Sequence, residues 1–248
     1  MPAQQKLCVV VPTYNERENV GRLVEEVRRA AIPDLTLLFV DDTSPDGTGD
    51  VIRGIASRDP SVRLLVRSSK TGIGSAYQDG FREAILTMSP EIIIEMDADL
   101  QHPPSAISEL VRTVQAGADV AIGSRYVAGG GVSGWNLWRR TVSKGANIYA
   151  RVMLRIKVMD ATSGFRAYTR AKAEQVASAA LPAKGFEFQV ASLYILKGES
   201  RFAEVPYTFA ARKAGRSKLG LVDMARFFFS VFRIAISRSK RSSINSKP

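Results

Sequence analysis

The chain has 248 residues, 45% of them hydrophobic and 24% charged, which suits a globular α/β domain with a buried core. One cysteine, Cys8, excludes an internal disulfide and a cysteine-cluster metal site, and one histidine, His102, argues against a histidine-built zinc site or a serine-type triad. The net charge of +11 points to a polyanionic partner: nucleic acid, an acidic membrane surface or phosphorylated small molecules. The opening MPAQQKLCVVVP lacks the long apolar core of a signal peptide, which predicts a cytosolic, reducing setting.

Strand and helix signals alternate along the first half. Apolar, β-rich runs lie at LCVVV (7–11), LTLLFV (35–40), VRLLV (62–66), EIIIEM (91–96) and DVAIG (119–123). Helical patterns fall between them at 18–31, 48–58, 74–88 and 104–116. Short apolar runs separated by helices predict a mostly parallel sheet covered on both faces, a Rossmann-like arrangement. Ligands bind such sheets beyond the carboxyl ends of the strands. The polar segments sit there: PTYNE after the first run, DDTSPDGT after the second, DADLQHPP after the fourth and GSR after the fifth. In the second half, VAGGGVSG (127–134) is a glycine-rich loop and WRRTVSKGANIYARVML (138–154) reads as a helix. SGFRAYT reads as a strand and FEFQVASLYILKG as another helix. With no repeat and no low-complexity linker, residues 1–220 are expected to form one domain, followed by a helical segment at 221–248.

The fourth run poses a chemical question, because it ends in Asp97 and Asp99. Residues two apart on an extended chain face the same way, so an extended course past the strand end would put both carboxylates on one side. Two such groups raise each other's pKa unless a cation lies between them, so the pair predicts a divalent metal. The competing reading is that they cap the helix whose first turn holds Pro103 and Pro104. No GxxxxGK[ST] cradle is present. TGIGSAYQDG (71–80) has GxG without the third dinucleotide-site glycine, so Gly72 and Gly74 read as a tight strand-to-helix turn. His102 is expected to shape the acidic loop through a hydrogen bond rather than to ligate. Cys8 reads as a small core hydrophobe.

VVPTYNERENV, VDDTSPDGT, MDADLQHPP and GSRYVAGGGVSGW together resemble the polyprenyl-phosphate mannose synthases, inverting glycosyltransferases of family 2 with the GT-A fold. RRTVSKGAN, DATSGFRAY, EVPYTF and GRSKLG extend the resemblance over roughly residues 6 to 220. It implies mannose transfer from GDP-mannose to a polyprenyl (dolichyl-type) monophosphate with Mg²⁺ or Mn²⁺. Asp97, Asp99 and Gln101 would hold the metal, with the donor phosphates completing its shell. Pro12, Tyr14, Glu16, Val40 and Asp42 would contact the nucleoside, Ala98 would line the donor site, and Lys218 would lie near the donor phosphates. Asn15 and Asp42 also read simply as loop-forming residues beside strand ends. Arg125, Arg139, Ser143 and Arg212 would bind the acceptor phosphate, with Arg212 shared by the donor side. A lipid monophosphate has a second pKa near about 6 and needs no general base, which suits a chain with a single histidine. It needs orientation and charge compensation, and arginine's planar fork supplies both. Any single arginine in so basic a chain also reads as a solvated surface group. Trp135 and Trp138 read either as lining the lipid's access or as ordinary packing. Two departures stand out: Ala191 where relatives often carry an acid, and Ala211 before Arg212 where many read VDR. They bear on the acceptor-side wall and on sugar preference.

The segment LGLVDMARFFFSVFRIAIS (219–237) decides how such an enzyme meets a bilayer. Its ten Leu, Val, Ile and Phe residues favour insertion by roughly 3 to 6 kcal/mol, while Asp223, Arg226 and Arg233 oppose it by about 8 if central. It is therefore expected to lie in the interface, with Asp223, Arg226, Ser230, Arg233 and Ser237 as one polar stripe and RSKR drawn to anionic lipid. Packing on the protein's own core is the alternative. The expectation is a peripheral enzyme on the cytoplasmic face of a membrane, with small membrane-anchoring subunits as possible partners. The rivals are the same chemistry with UDP-glucose or another sugar nucleotide, a catalytically dead lectin-like homologue, and a basic nucleic-acid-binding α/β protein. Acids gathered at the strand ends would repel a nucleic-acid backbone, so no nucleic-acid partner is expected.

Overall fold

The computed structural model describes residues 5–181, 185–210 and 221–244. Arg212, Lys218 and Ala211 lie outside the described residues, as do the side chains of Asp223 and Ser237.

Strand β1 (Leu7–Thr13) shows how the sheet is built. Cys8 and Val10 enter the apolar layer on one face, while Leu7, Val9 and Val11 enter the layer on the other. β2 (Leu35–Asp41) repeats the pattern with Leu38 and Val40 against Leu37 and Phe39, as period-two alternation requires of strands buried on both faces. β3 (Val62–Val66), β4 (Ile92–Glu95), β5 (Val120–Ser124), β7 (Arg166–Thr169) and β8 (Phe202–Pro206) complete seven strands in the order β3-β2-β1-β4-β7-β5-β8. Only β7 runs against its neighbours. A small parallel pair joins β6 (Gly131–Val132) to β9 (Thr208–Phe209), tying the glycine-rich loop to the chain that follows β8.

Helices α1 (Arg17–Arg29), α2 (Thr48–Ala56) and α4 (Ile107–Gln115) cover one face through residues such as Leu23, Ile52 and Leu110. The other face carries α3 (Ile73–Thr87), α5 (Leu137–Leu154), α6 (Arg170–Ser178), α7 (Phe188–Leu196) and α8 (Leu221–Ile244). Gly80 brings α3 down onto the sheet, because a Cβ there would press on Val10 and lie 2.9 Å from Val40 Cγ2.

The alternating first half and the mostly parallel sheet follow the sequence reading. Three of its details change. The expected helix at 104–116 begins as a 3-10 turn (Pro104–Ala106), in which Ala106 N donates to the Pro103 carbonyl (3.0 Å), before α4. α6, β8 and both strands of the small pair were not expected. Finally, α8 does not turn its whole apolar surface outward. Val231 and Ile234 are buried in the same layer as α5 and α7, Phe227 packs against that layer, and Ser230, expected on the polar stripe, is buried too. Among the described residues no helix is long and apolar enough to cross a membrane.

Candidate active site

β1, β2 and β4 are parallel, and β4 and β5 both run against β7, so all four deliver their carboxyl ends to one edge of the sheet. The loops after β1 and β2 are tied together there. Glu16 N donates to Thr48 Oγ1 (3.0 Å), and Asn15 N donates to Ser44 Oγ (3.1 Å). Asn15 has φ of 57°, a left-handed conformation that asparagine tolerates, which is the loop-forming role expected of it. Asp41 accepts from Ser44 N and Oγ and from Thr13 Oγ1. Tyr14 stands beside this junction with the Lys70 ammonium 3.6 Å from its ring centroid. Pro12 is half-buried, whereas Val40 is fully buried with its side chain in the core.

Asp42 is held from the far side. Arg67, at the end of β3, reaches Asp42 Oδ1 (2.7 Å), Asp79 Oδ2 (2.9 Å) and Ser75 Oγ (2.8 Å). Burial raises the Asp42 carboxyl above its ordinary value and outweighs the opposing pull of Arg67. Sequence reading had assigned no role to Arg67, although a lone arginine just after an apolar run was the available signal.

The acidic loop is built differently from the sequence expectation. β4 stops at Glu95, so strand alternation does not align Asp97 with Asp99. The two acids sit instead in a turn, with the buried Leu100 at φ 62°, a strained conformation for a branched side chain of the kind that persists where surrounding structure enforces it. Gln101 N donates to Asp99 Oδ1 (3.1 Å), closing the turn, and Gln101 Nε2 donates to the Ala210 carbonyl (3.0 Å). Gln101 thereby keeps its side-chain oxygen as the atom suited to a cation. Asp97 Oδ1 accepts from the hydroxyl of Tyr77, a fully buried residue of α3 (3.1 Å). The capping alternative fails, since the residue that precedes the 3-10 turn is Pro103 and no side chain caps it.

His102 shapes this loop as expected. Its Nδ1 accepts from Asp97 N (3.1 Å), and its ring stacks on Phe165 with centroids 5.0 Å apart. Burial pushes its pKa down to about 4, so the imidazole is neutral. Cys8 is fully buried and its thiol is pushed up to about 12, which makes it an inert core residue.

Across the edge, Arg125 follows β5. Its Nε and Nη2 make a bidentate pair with Asp160 (2.7 Å each), and Nη2 also reaches Thr162 Oγ1 (2.8 Å). Burial alone would raise the Asp160 carboxyl, but Arg125 outweighs it and holds the group below the usual range. The fork assigned from sequence to a phosphate is thus engaged by a carboxylate, with Tyr126, Trp135 and Phe209 around the guanidinium. The Arg139 guanidinium lies 4.3 Å from the Trp135 ring centroid, and Ser143 Oγ is 2.9 Å from the Tyr126 hydroxyl. Trp135 is therefore part of this cluster, whereas Trp138 is 74% exposed. Arg125, Arg139, Ser143 and the glycine-rich loop come together; Asp160, 35 residues beyond Arg125, had no assigned role in the sequence reading.

Among the described residues no cluster of three or more His, Cys, Asp or Glu is placed to hold a metal by itself. The donors at the acidic loop are two carboxylates and an amide oxygen, a hard-oxygen set that fits Mg²⁺ or Mn²⁺ when a diphosphate supplies the rest of the shell.

Comparisons with known proteins agree with this architecture. The family model described as glycosyl transferase family 2 matches residues 8–177. The polyprenol monophosphomannose synthase of Mycolicibacterium smegmatis is 43% identical over 230 residues, covering 92% of this chain and 86% of that one. The undecaprenyl-phosphate mannosyltransferase of Micrococcus luteus is 39% identical over 227 residues, covering 89% and 90%. The dolichol-phosphate mannosyltransferase of Pyrococcus furiosus is 38% identical over 233 residues, covering 92% of this chain and 63% of its own. Among solved structures, glucosyl-3-phosphoglycerate synthase from Mycobacterium tuberculosis superposes with a TM-score of 0.66 over 94% of this chain and 80% of its own, at 20% identity, which speaks to fold alone. The chain belongs to glycosyl transferase family 2.

Proposed function

We propose that this protein transfers mannose from GDP-mannose to a polyprenyl monophosphate, with inversion at the sugar carbon, from a peripheral position on a membrane. The observation that carries the reading is similarity at 38–43% identity, along about nine-tenths of the chain, to three proteins named for mannose and a polyprenyl phosphate. The site supports it, with an acidic loop facing a basic, aromatic cluster at one sheet edge.

In this reading the nucleoside lies over Tyr14 and Asp42, with Pro12, Glu16 and the backbone of Val40 around it. Arg67 holds the Asp42 carboxylate so that it accepts from base or ribose donors, and a mismatched base leaves a buried acceptor unpaired. Asp97, Asp99 and Gln101, with Ala98 between the acids, hold Mg²⁺ or Mn²⁺. When bound, that cation neutralises charge growing on the departing diphosphate. The lipid phosphate, already dianionic, attacks the anomeric carbon as the bond to GDP breaks. Arg139, Ser143 and Arg212 orient it, Lys218 serves the donor phosphates, and Arg125 fixes the wall through Asp160.

The test is donor competition. Full-length protein with prenyl phosphate in vesicles is offered GDP-mannose, UDP-glucose and UDP-GlcNAc, and the product lipid is identified. Mannosyl lipid as the main product supports the proposal; glucosyl lipid would replace the donor while keeping the chemistry. A thermal shift with duplex DNA and none with GDP and Mg²⁺ would overturn the transferase reading.

A further inference from the structure

Arg166 heads the fully buried side chains by size, yet the transfer site described above makes no use of its charge. It stands on β7, and each hydrogen bond found for it among the described residues goes to a neutral group. Nη1 donates to the Gln189 carbonyl (2.7 Å), to Ser192 Oγ (2.9 Å) and to the Tyr168 hydroxyl (3.4 Å). Nη2 donates to the Ala161 carbonyl (2.9 Å), and Nε is buried without a partner. A buried cation calls for a counter-charge, because the interior does not solvate it as water does.

The register of the sheet supplies one. Glu95 of β4 and Arg166 of β7 are direct cross-strand partners, so their side chains leave the same face. Glu95 is fully buried, and its Oε1 accepts from the Tyr168 hydroxyl (3.1 Å), the same hydroxyl that Arg166 Nη1 reaches. One oxygen thus links the two charged groups. Burial pushes the Glu95 carboxyl up to about 7, and the Arg166 cation is the largest influence opposing that rise. Arg166 in turn props the wall beside Arg125. The Ala161 carbonyl that it holds lies between Asp160 and Thr162, which both bond Arg125, and Ala161 N donates to Asn147 Oδ1 of α5. Ala191, where relatives often carry an acid, is buried on α7 next to Ser192, a partner of Arg166.

We propose that Glu95 is a positioning residue for the acceptor phosphate: its carboxylate balances Arg166 through Tyr168, and Arg166 fixes the loop of Asp160 and Thr162 against Arg125. This role rests on the reading of that wall as the acceptor side. In this chain β4 carries the counter-charge that an acid at 191 would supply from α7. β4 thereby serves both halves of the site, since the loop that follows it holds Asp97 and Asp99.

A double-mutant cycle on the full chain tests the link. Glu95→Gln keeps the shape and a hydrogen-bonding oxygen while removing the charge. Tyr168→Phe removes the bridging hydroxyl and keeps the ring, which meets Phe81 edge to face at 5.6 Å. Each should raise the KM for a water-soluble prenyl phosphate by about tenfold and leave the KM for the sugar nucleotide within about twofold. The double variant should be no worse than either alone, because both break one link. Glu95→Gln with Ala191→Glu should recover most of the loss, and a folded swap without recovery would overturn the exchange with position 191. If the swap does not fold, the cycle still decides. An unchanged acceptor KM in Glu95→Gln, a rise in the sugar-nucleotide KM in its place, or additive losses would overturn the positioning role. A lower thermal midpoint with both KM values unchanged would overturn it too, leaving Glu95 a core residue. Wild type that transfers no sugar would sink the function proposed above. Transfer by wild type with an acceptor KM untouched by Glu95→Gln sinks this inference alone.

Discussion

Asp99 and Tyr77 set the first predictions at the scale of single residues. Asp99→Ala should keep the fold and lower turnover by about 10²–10³-fold, since the departing diphosphate loses charge compensation; substantial activity in that variant, or full activity in EDTA, would refute the metal assignment. Tyr77 acts one step further out. Its hydroxyl donates to Asp97 while its ring stacks on Phe188 with centroids 5.8 Å apart, so Tyr77→Phe removes the bond and keeps the packing. We expect about tenfold more Mn²⁺ to be needed for half-maximal activity and for binding seen by paramagnetic resonance, with little change in thermal midpoint. The arginine prediction is different in kind. Because Asp160 is fully buried and paired, Asp160→Ala should cost about 3–5 kcal/mol, largely from leaving Arg125 buried without its carboxylate. Arg125→Lys should lower both stability and transfer, whereas a pure phosphate clamp would affect transfer alone. The sign with pH follows from the depressed Asp160 value. The pair's contribution is complete above the ordinary carboxylate pKa of about 3.9 and is lost as pH falls through the lower folded value. Asp160→Asn should therefore lack that part of the acid transition in a denaturation series.

At the scale of elements, what could be read from the sequence follows a physical divide. β1 to β5 and the helices between them were legible because each strand is centred on a short apolar, β-rich run, even where Thr36 or Arg63 interrupts it, and each helix between them is amphipathic. The acids and Arg125 could be found because they stand just after such runs. β8 was missed because FAEVP carries a buried valine among partly exposed neighbours, with no run to announce it. β7 was expected as a strand, but nothing local states that it inserts antiparallel between β4 and β5. That insertion brings the loop holding Asp160 to Arg125, so the pair could not be read from spacing. Glu204 of β8 shows the same dependence: it accepts from Asp160 N (2.9 Å) and supports the loop from a strand the sequence did not disclose. The α3–sheet contact gives the element-scale prediction. Gly80→Ala gains up to about 1 kcal/mol of helix propensity but forces a methyl against Val10 and Val40. Overpacking of about 1–3 kcal/mol should win. We expect a lower urea midpoint; a higher one would mean that α3 can lift off the sheet without strain.

For the whole molecule, the question is whether residues 221–248 can be separated from what precedes them. Sequence alone favoured an interfacial helix there, with packing on the protein's own core as the alternative. The packing changes that expectation. Val231 and Ile234 are buried with α5 and α7, and burial of two such side chains contributes about 3–6 kcal/mol. Truncation before Leu221 should therefore lower the thermal midpoint by on the order of 10 °C, given about 2–4 °C per kcal/mol for a chain of this size. It should also slow transfer to the soluble acceptor, because α5 loses its neighbour and α5 holds Ser143 against Tyr126. The clean separation comes from the outer face instead. Phe229→Ser with Phe232→Ser touches exposed rings only, and should reduce vesicle binding while leaving the midpoint and soluble-acceptor transfer near wild type. An unchanged midpoint after truncation would show that α8 is an appendage after all. A large drop in midpoint for the double serine variant would show that those rings belong to the core rather than to the membrane.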